Sequence, residues 1–173
     1  MQTICINLFG GPCAGKSTTA YALVANLKWM GIDAELVTEF AKDLTWEGSP
    51  ALDTQMYITG NQIWREDRLM DKVQVLVTDS PIIMSSMYYD GKHQESWEDI
   101  VFEVFNSRNN WNFFVVNKGK TYNTNGRNQT EAEARLIGKR IGIMLREKEV
   151  PYTVADTDTI IDIVTHEITT KLK

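Results

Sequence analysis

The chain has 173 residues, enough for one domain over residues 1–173 with a proper core. Hydrophobic residues make up 43% and charged residues 24%, the composition of an ordinary soluble protein, and no stretch approaches a membrane span. Two cysteines, Cys5 and Cys13, argue against a disulfide framework or a Cys-rich zinc site. The net charge of −5 disfavours broad, nonspecific nucleic-acid binding but leaves room for a local basic patch.

The first residues lack a basic lead with a cleavage site and read as a strand from about Thr3 to Phe9. The expectation is therefore a cytoplasmic protein. The run Gly10-Gly11-Pro12-Cys13-Ala14-Gly15-Lys16-Ser17 follows this strand. It fits the phosphate-binding loop pattern of glycine, four residues, then Gly-Lys-Ser. A helix is predicted next, from Lys16 to about Met30, with Ala20, Leu23, Val24 and Leu27 on its apolar face and Gly31 as its stop. Such a loop aims consecutive backbone N–H groups at one point, and the helix adds the positive end of its dipole. Gly11, Cys13, Ala14, Gly15, Lys16, Ser17 and Thr18 are the expected ATP contacts. Lys16 reaches the terminal phosphates, and the Ser17 hydroxyl holds Mg²⁺. A tight turn with a helix cap would need neither Lys16 nor the spacing of Gly10 and Gly15.

A second strand is predicted near Ala34 to Thr38, ending at Glu39. Asp43 through Pro50 reads as irregular, with Gly48-Ser49-Pro50 as a turn signal. A helix starting near Asp53 carries Met56, Ile58, Ile63, Trp64 and Leu69. The apolar segment Val73 to Val77 is a third strand, ending at Thr78-Asp79. Tyr88 to His93 reads as a loop, Gln94 to Ser107 as a helix, and Asn112 to Val116 as a strand. Asn117 to Asn128 is polar and contains glycine; a long helix then runs from Gln129 to Lys148. Tyr152 to Ala155 is a last short strand, and Asp156 or Asp158 caps a final helix. This alternation predicts a three-layer α/β fold: a central parallel sheet with helices on both faces and a helical lid at residues 118–135.

Asp79 directly follows an apolar strand, where parallel-sheet proteins place ligand-facing residues. A carboxylate there is suited to the Mg²⁺ shell. Glu39 occupies the equivalent position after the second strand and is suited to accept a proton from an attacking hydroxyl. Gln62 and Arg65, three residues apart, share a helix face as candidate acceptor-binding residues, with Trp46 as a candidate stacking wall. Arg68 is a weaker candidate, and Lys42 reads as solvated. In the lid, Lys118, Lys120, Arg127 and Arg135 supply positive charge, and Gly119 and Gly126 permit movement. Arg127 is the first candidate to approach the transferred phosphoryl group. Lys139 and Arg140 read as helix surface. His93 and His166 are too distant in sequence to suggest a zinc pair.

These residues together resemble the small P-loop kinases and ATPases related to the ribosylnicotinamide kinase domain of NadR, short members of which are common in large bacteriophages. The resemblance rests on Gly10 to Ser17, Glu39 within Thr38-Glu39-Phe40-Ala41-Lys42, Gln62, Asp79, and Tyr89-Asp90-Gly91-Lys92-His93. It closes with Gly126-Arg127 and Val150-Pro151-Tyr152. It implies an enzyme that moves the terminal phosphate of ATP, with Mg²⁺, to a hydroxyl of a nucleoside, nucleotide or related small molecule. It also implies Glu39 as base, Gln62 as reader of the base and Arg127 at the transferred phosphate. The chain has Asp79-Ser80-Pro81 where ribosylnicotinamide kinases have Asp-Thr-Asp, so the resemblance implies the reaction rather than the acceptor. Two alternatives stay open. One is a phage DNA-modification enzyme that phosphorylates 5-hydroxymethyluracil in DNA; such a protein works in the host cytoplasm. The other is an ATPase switch that acts on a protein partner.

Overall fold

The computed structural model describes residues 2–89, 91, 94–116 and 130–171. Among these residues, five strands form one parallel sheet: β1 (Ile4–Phe9), β2 (Ala34–Val37), β3 (Val75–Thr78), β4 (Asn109–Val115) and β5 (Thr153–Ala155). Their order across the sheet is β2-β3-β1-β4-β5. β1 is therefore central, with Ile4 in register with Val75 on one side and Asn109 on the other.

Strand alternation explains the layers. Ile4, Ile6 and Leu8 point to one face, where they pack against Leu23 and Leu27 of α1 (Lys16–Trp29) and Ile160, Val164 and Ile168 of α6 (Thr157–Lys171). Phe9 points to the other face. It joins Val101 and Phe105 of α4 (Gln94–Asn106) and Ile141 and Leu145 of α5 (Glu131–Glu147). Helices on both faces of a parallel sheet give the expected three-layer α/β architecture. Among the described residues, no helix is long and apolar enough to cross a membrane.

Three boundaries depart from the sequence reading. Residues 43–50, read as irregular, instead fall largely in α2 (Phe40–Glu47), which buries Leu44 and ends on Gly48 at φ 61°. That left-handed cap favours glycine. The following helix, α3 (Gln55–Asp67), starts after a single 3₁₀ turn at Pro50–Asp53. β4 begins at Asn109, earlier than hydrophobicity suggests, because its asparagines are paired. The buried Asn7 donates to Asn110 Oδ1 at 2.8 Å and to Asn112 Oδ1 at 3.0 Å. Asn112 in turn donates to the Pro151 carbonyl at 3.0 Å. Polar residues are tolerated inside a sheet when such bonds satisfy them.

The helix ends follow ordinary capping chemistry. Asp156 Oδ1 accepts from Thr159 N at 3.0 Å and so caps α6. Thr130 and Glu133 form a reciprocal capping box at the start of α5. The buried Glu66 carboxylate and the Arg108 guanidinium form an ion pair that ties α3 to the turn before β4, and Arg108 also reaches Asp67 at 2.8 Å.

Candidate functional site

The carboxyl ends of β1 and β3 lie side by side in the sheet, so the loops that leave them meet. The loop after β1 carries Gly10 to Gly15. Its backbone demands glycine twice. Gly15 is the N-cap of α1 at φ 96°, and Gly10 stands at φ 141° with Ala14 Cβ and the Val115 carbonyl against the position a Cβ would occupy. Cys13 also adopts a left-handed φ of 65°. The Ala14 N–H donates to the Gly11 carbonyl at 3.1 Å, closing the turn. Lys16 Nζ folds back and donates to the carbonyls of Gly10 at 2.8 Å and Gly11 at 3.2 Å. The ammonium is thereby held over the loop, where the N-terminus of α1 also favours negative charge.

Gly11 has a second role. A Cβ built on it would lie 2.5 Å from the Ala134 carbonyl and 3.1 Å from the Gly138 amide nitrogen. The first turns of α5 therefore rest directly on the loop backbone, and only glycine permits that approach.

Ser17, the second residue of α1, donates its hydroxyl to Asp79 Oδ2 at 2.5 Å. Asp79 is buried, and its other oxygen finds no partner among the described residues. A buried carboxylate oxygen left unpaired is costly. A serine hydroxyl and a carboxylate, both hard oxygen donors beside a phosphate loop, fit a Mg²⁺ ion with its waters. Behind them, Thr19 bonds to the Gly15 carbonyl at 3.0 Å and to Thr157 of α6 at 2.8 Å, which anchors the helix start to the opposite layer.

Opposite the loop stand α2 and α3. Glu39 is the N-cap residue of α2, but its side chain makes no capping hydrogen bond to its own helix. The first N–H of that helix, on Phe40, instead donates to Gln62 Oε1 of α3 at 3.0 Å. Gln62 thus caps α2 from a neighbouring helix and fixes the segment that presents Glu39. Gln62 is only 4% exposed, and its Nε2 has no partner among the described residues.

One cavity of about 400 Å³ joins the two sides. Its wall runs from Gly10 and Pro12 through Cys13–Thr18, past Asp79, to Glu39, Lys42 and Gln62. The volume lies in the range of small-molecule sites. Apolar Leu52, Ile58 and Met84 close the α3 end. The structure therefore brings the loop, both carboxylates and the glutamine together. Lys42, read as solvated, also borders the cavity.

Other candidates lie elsewhere. Arg65 is paired with Asp43 at 2.6 Å and stacks over the Phe40 ring at 4.6 Å; neither it nor the exposed Trp46 borders the cavity. Arg68 stacks over Trp64 on the α3 surface. Arg135 is exposed and paired with Glu131 at 2.7 Å, off the cavity wall. Arg127, Lys118, Lys120, Gly119 and Gly126 fall outside the described residues, as do Lys92 and His93.

Sequence reasoning passed over Tyr88, which lines the cavity. Burial pushes its phenol pKa up, the Glu39 carboxylate adds to the shift, and Arg140 opposes it. Tyr88 is 53% exposed, and its phenol, protonated at neutral pH like any tyrosine, is a hydrogen-bond donor at the cavity. An aromatic in a loop carries no distinctive signal, so spacing alone could not have found it. The other cysteine, Cys5, is buried away from the site, and burial pushes its thiol up to about 11, so it is unreactive at neutral pH.

A glycine-rich loop at the end of a central parallel strand, a lysine over it and a serine–aspartate pair beside it give the chain a P-loop-like three-layer α/β fold. The chain belongs to the AAA domain family, whose sequence profile matches residues 5–160. Among solved structures it is similar to the deoxyadenosine kinase from M. mycoides with bound dATP. The two are 19% identical, with a TM-score of 0.57 over 95% of this chain and 99% of that one. It is also similar to APE1195, at 16% identity and a TM-score of 0.54 over 99% of this chain and 98% of that one. No curated protein matches.

Proposed function

We propose that the chain is a Mg²⁺- and ATP-dependent phosphotransferase that moves the terminal phosphate of ATP to a hydroxyl of a nucleoside, nucleotide or related small molecule. The observation that carries this reading is the continuous cavity that joins the phosphate loop to Glu39 and Gln62. A site built only for hydrolysis would not need the α2–α3 wall. The like fold of a deoxyadenosine kinase supports the same reading, and the resemblance to ribosylnicotinamide kinases adds nicotinamide riboside to the candidate acceptors.

In this reading Gly11 and Cys13–Thr18 cradle the phosphates through backbone N–H groups, and Lys16 turns from the loop carbonyls to the terminal phosphates. Ser17 and Asp79 hold Mg²⁺, which when bound neutralises charge on the phosphates. The acceptor enters between α2 and α3. Glu39 orients its hydroxyl and takes its proton as the oxygen attacks the terminal phosphorus in line with the departing diphosphate. Tyr88, on the same cavity wall, supplies a hydroxyl donor to the acceptor. Arg127 brings positive charge to the moving phosphoryl group, joined by Arg135 once that side chain leaves Glu131.

The test is transfer from terminally labelled ATP with Mg²⁺. One panel contains nucleosides, mononucleotides and nicotinamide riboside; the other contains DNA with thymine or 5-hydroxymethyluracil. The proposal expects label on a small molecule. Label only on modified DNA, or only on free phosphate, would overturn it.

A further inference from the structure

α3 has two unlike faces. Ile58, Thr59, Gln62 and Glu66 are buried on one. Tyr57, Gly60, Asn61 and Trp64 recur on the other, at the i, i+3, i+4, i+7 spacing of a single stripe. Tyr57 is 48% exposed and Trp64 62%. The helix carries no charged residue before Arg65, whereas a face built for water is charged or polar. Gly60 lies at the centre of the stripe. Glycine inside a helix is unfavourable, and among the described residues nothing lies within 4 Å of the Cβ it lacks. Packing within the chain therefore gives no reason for glycine at this position. The close approach of a second backbone does.

We propose that this face packs against α3 of a second copy of the chain, antiparallel, about a two-fold axis between Gly60 and Asn61. The stripe is self-complementary, as such an interface requires. Tyr57 and Trp64 stand at equal steps either side of the midpoint, about 5 Å from it at the rise of an α-helix. Reversing the helix sets Tyr57 of each copy against Trp64 of the other. Gly60 meets Gly60 at the crossing, which lets the helix axes close to about 8 Å. Farther out, the exposed Asp53 and Arg68 are also equidistant from the midpoint in sequence. The same reversal sets each aspartate against the arginine of the other copy. A nucleic acid matches this face less well, because Arg65 is held by Asp43 and the stripe offers phosphates no cation. The inference does not depend on the reaction, since the stripe lies on the opposite face of α3 from the buried Gln62.

The experiment is sedimentation velocity of the full chain from low to high micromolar concentration. A dimer that dissociates on dilution is expected. Gly60→Lys puts two ammonium groups at the axis and should weaken the dimer by about tenfold or more. Open space around Gly60 and the good helix propensity of lysine should leave the monomer folded, with its circular dichroism unchanged. Asp53→Arg and Arg68→Asp should each weaken the dimer several-fold by setting like charges opposite one another, and the two together should restore it. Trp29→Glu on α1, where the indole is still more exposed, should change nothing.

A monomer at every concentration, a dimer indifferent to Gly60→Lys, equal weakening by Trp29→Glu, or no recovery in the double variant would overturn the inference. A monomeric chain that binds an oligodeoxynucleotide, and loses it in Trp64→Ala, would overturn it in favour of a nucleic-acid surface. Should Gly60→Lys fail to fold, the charge-reversal pair decides alone.

Discussion

The two walls of the cavity are built on different principles. The phosphate-loop wall is one continuous segment. Its backbone is bent into shape by left-handed residues at Cys13 and Gly15 and wedged under α5 at Gly11. The α2–α3 wall is assembled from separate segments and held by side chains: Gln62 on Phe40 N, Arg65 on Asp43, and Phe40 against Tyr57. A ligand common to many proteins suits a rigid backbone cradle, since every phosphate presents the same oxygens. A ligand that must be selected suits a wall of replaceable side chains.

That contrast is sharpest in catalysis. Lys16→Ala removes the cation held over the loop, and phosphoryl transfer should fall by about 10³-fold or more. Near-normal turnover would remove the loop from the chemistry. Glu39→Gln on the opposite wall should lower turnover by about 10²-fold while leaving ATP affinity unchanged. Equal losses in turnover and in ATP binding would erase the distinction between the walls.

Stability separates them next. Gly11→Ala drives a methyl group into the Ala134 carbonyl. Overpacking of this kind costs about 1–3 kcal/mol, which thermal unfolding would register as a drop of several degrees. Gly138→Ala is the control: its nearest neighbour across the contact, Gly11 N, lies at an ordinary 3.5 Å. A change confined to Gly138→Ala would contradict the close approach of α5 to the loop.

The smallest effect belongs to the rim of the α2–α3 wall. Arg65→Ala loses a pair with Asp43, whose side chain is 43% exposed, and stacking on Phe40. Partly exposed pairs contribute little, so unfolding should shift by less than about 1 kcal/mol. A larger loss would mean that the rim, rather than Gln62, holds α2 in place.

The same contrast decides what the sequence discloses. The phosphate loop is legible because its whole function lies in eight consecutive residues, Gly10 to Ser17, whose order follows from backbone geometry. Asp79 is legible because an apolar strand points to it. Glu39 and Gln62 can be picked out one at a time, but not their junction. The bond from Phe40 to Gln62 spans 22 residues and depends on α2, a helix hidden by the turn-rich run Gly48-Ser49-Pro50. The asparagine ladder from Asn7 to Asn112 and the buried Glu66–Arg108 pair are equally hidden. Polar residues signal surface in a sequence, and only tertiary pairing makes them interior. Arg65 and Trp46 show the converse: their chemistry suited the cavity wall, yet Asp43 and solvent are what they meet.

The proposed function requires one cavity to hold phosphate donor and organic acceptor together. Its most direct test is calorimetric titration with two nucleosides joined by a polyphosphate bridge, carried out with Mg²⁺. One molecule should bind per chain, tighter than ATP, displaced by ATP, and weakened by either Lys16→Ala or Gln62→Leu. Binding no tighter than ATP, or sensitive to Lys16→Ala alone, would contradict it.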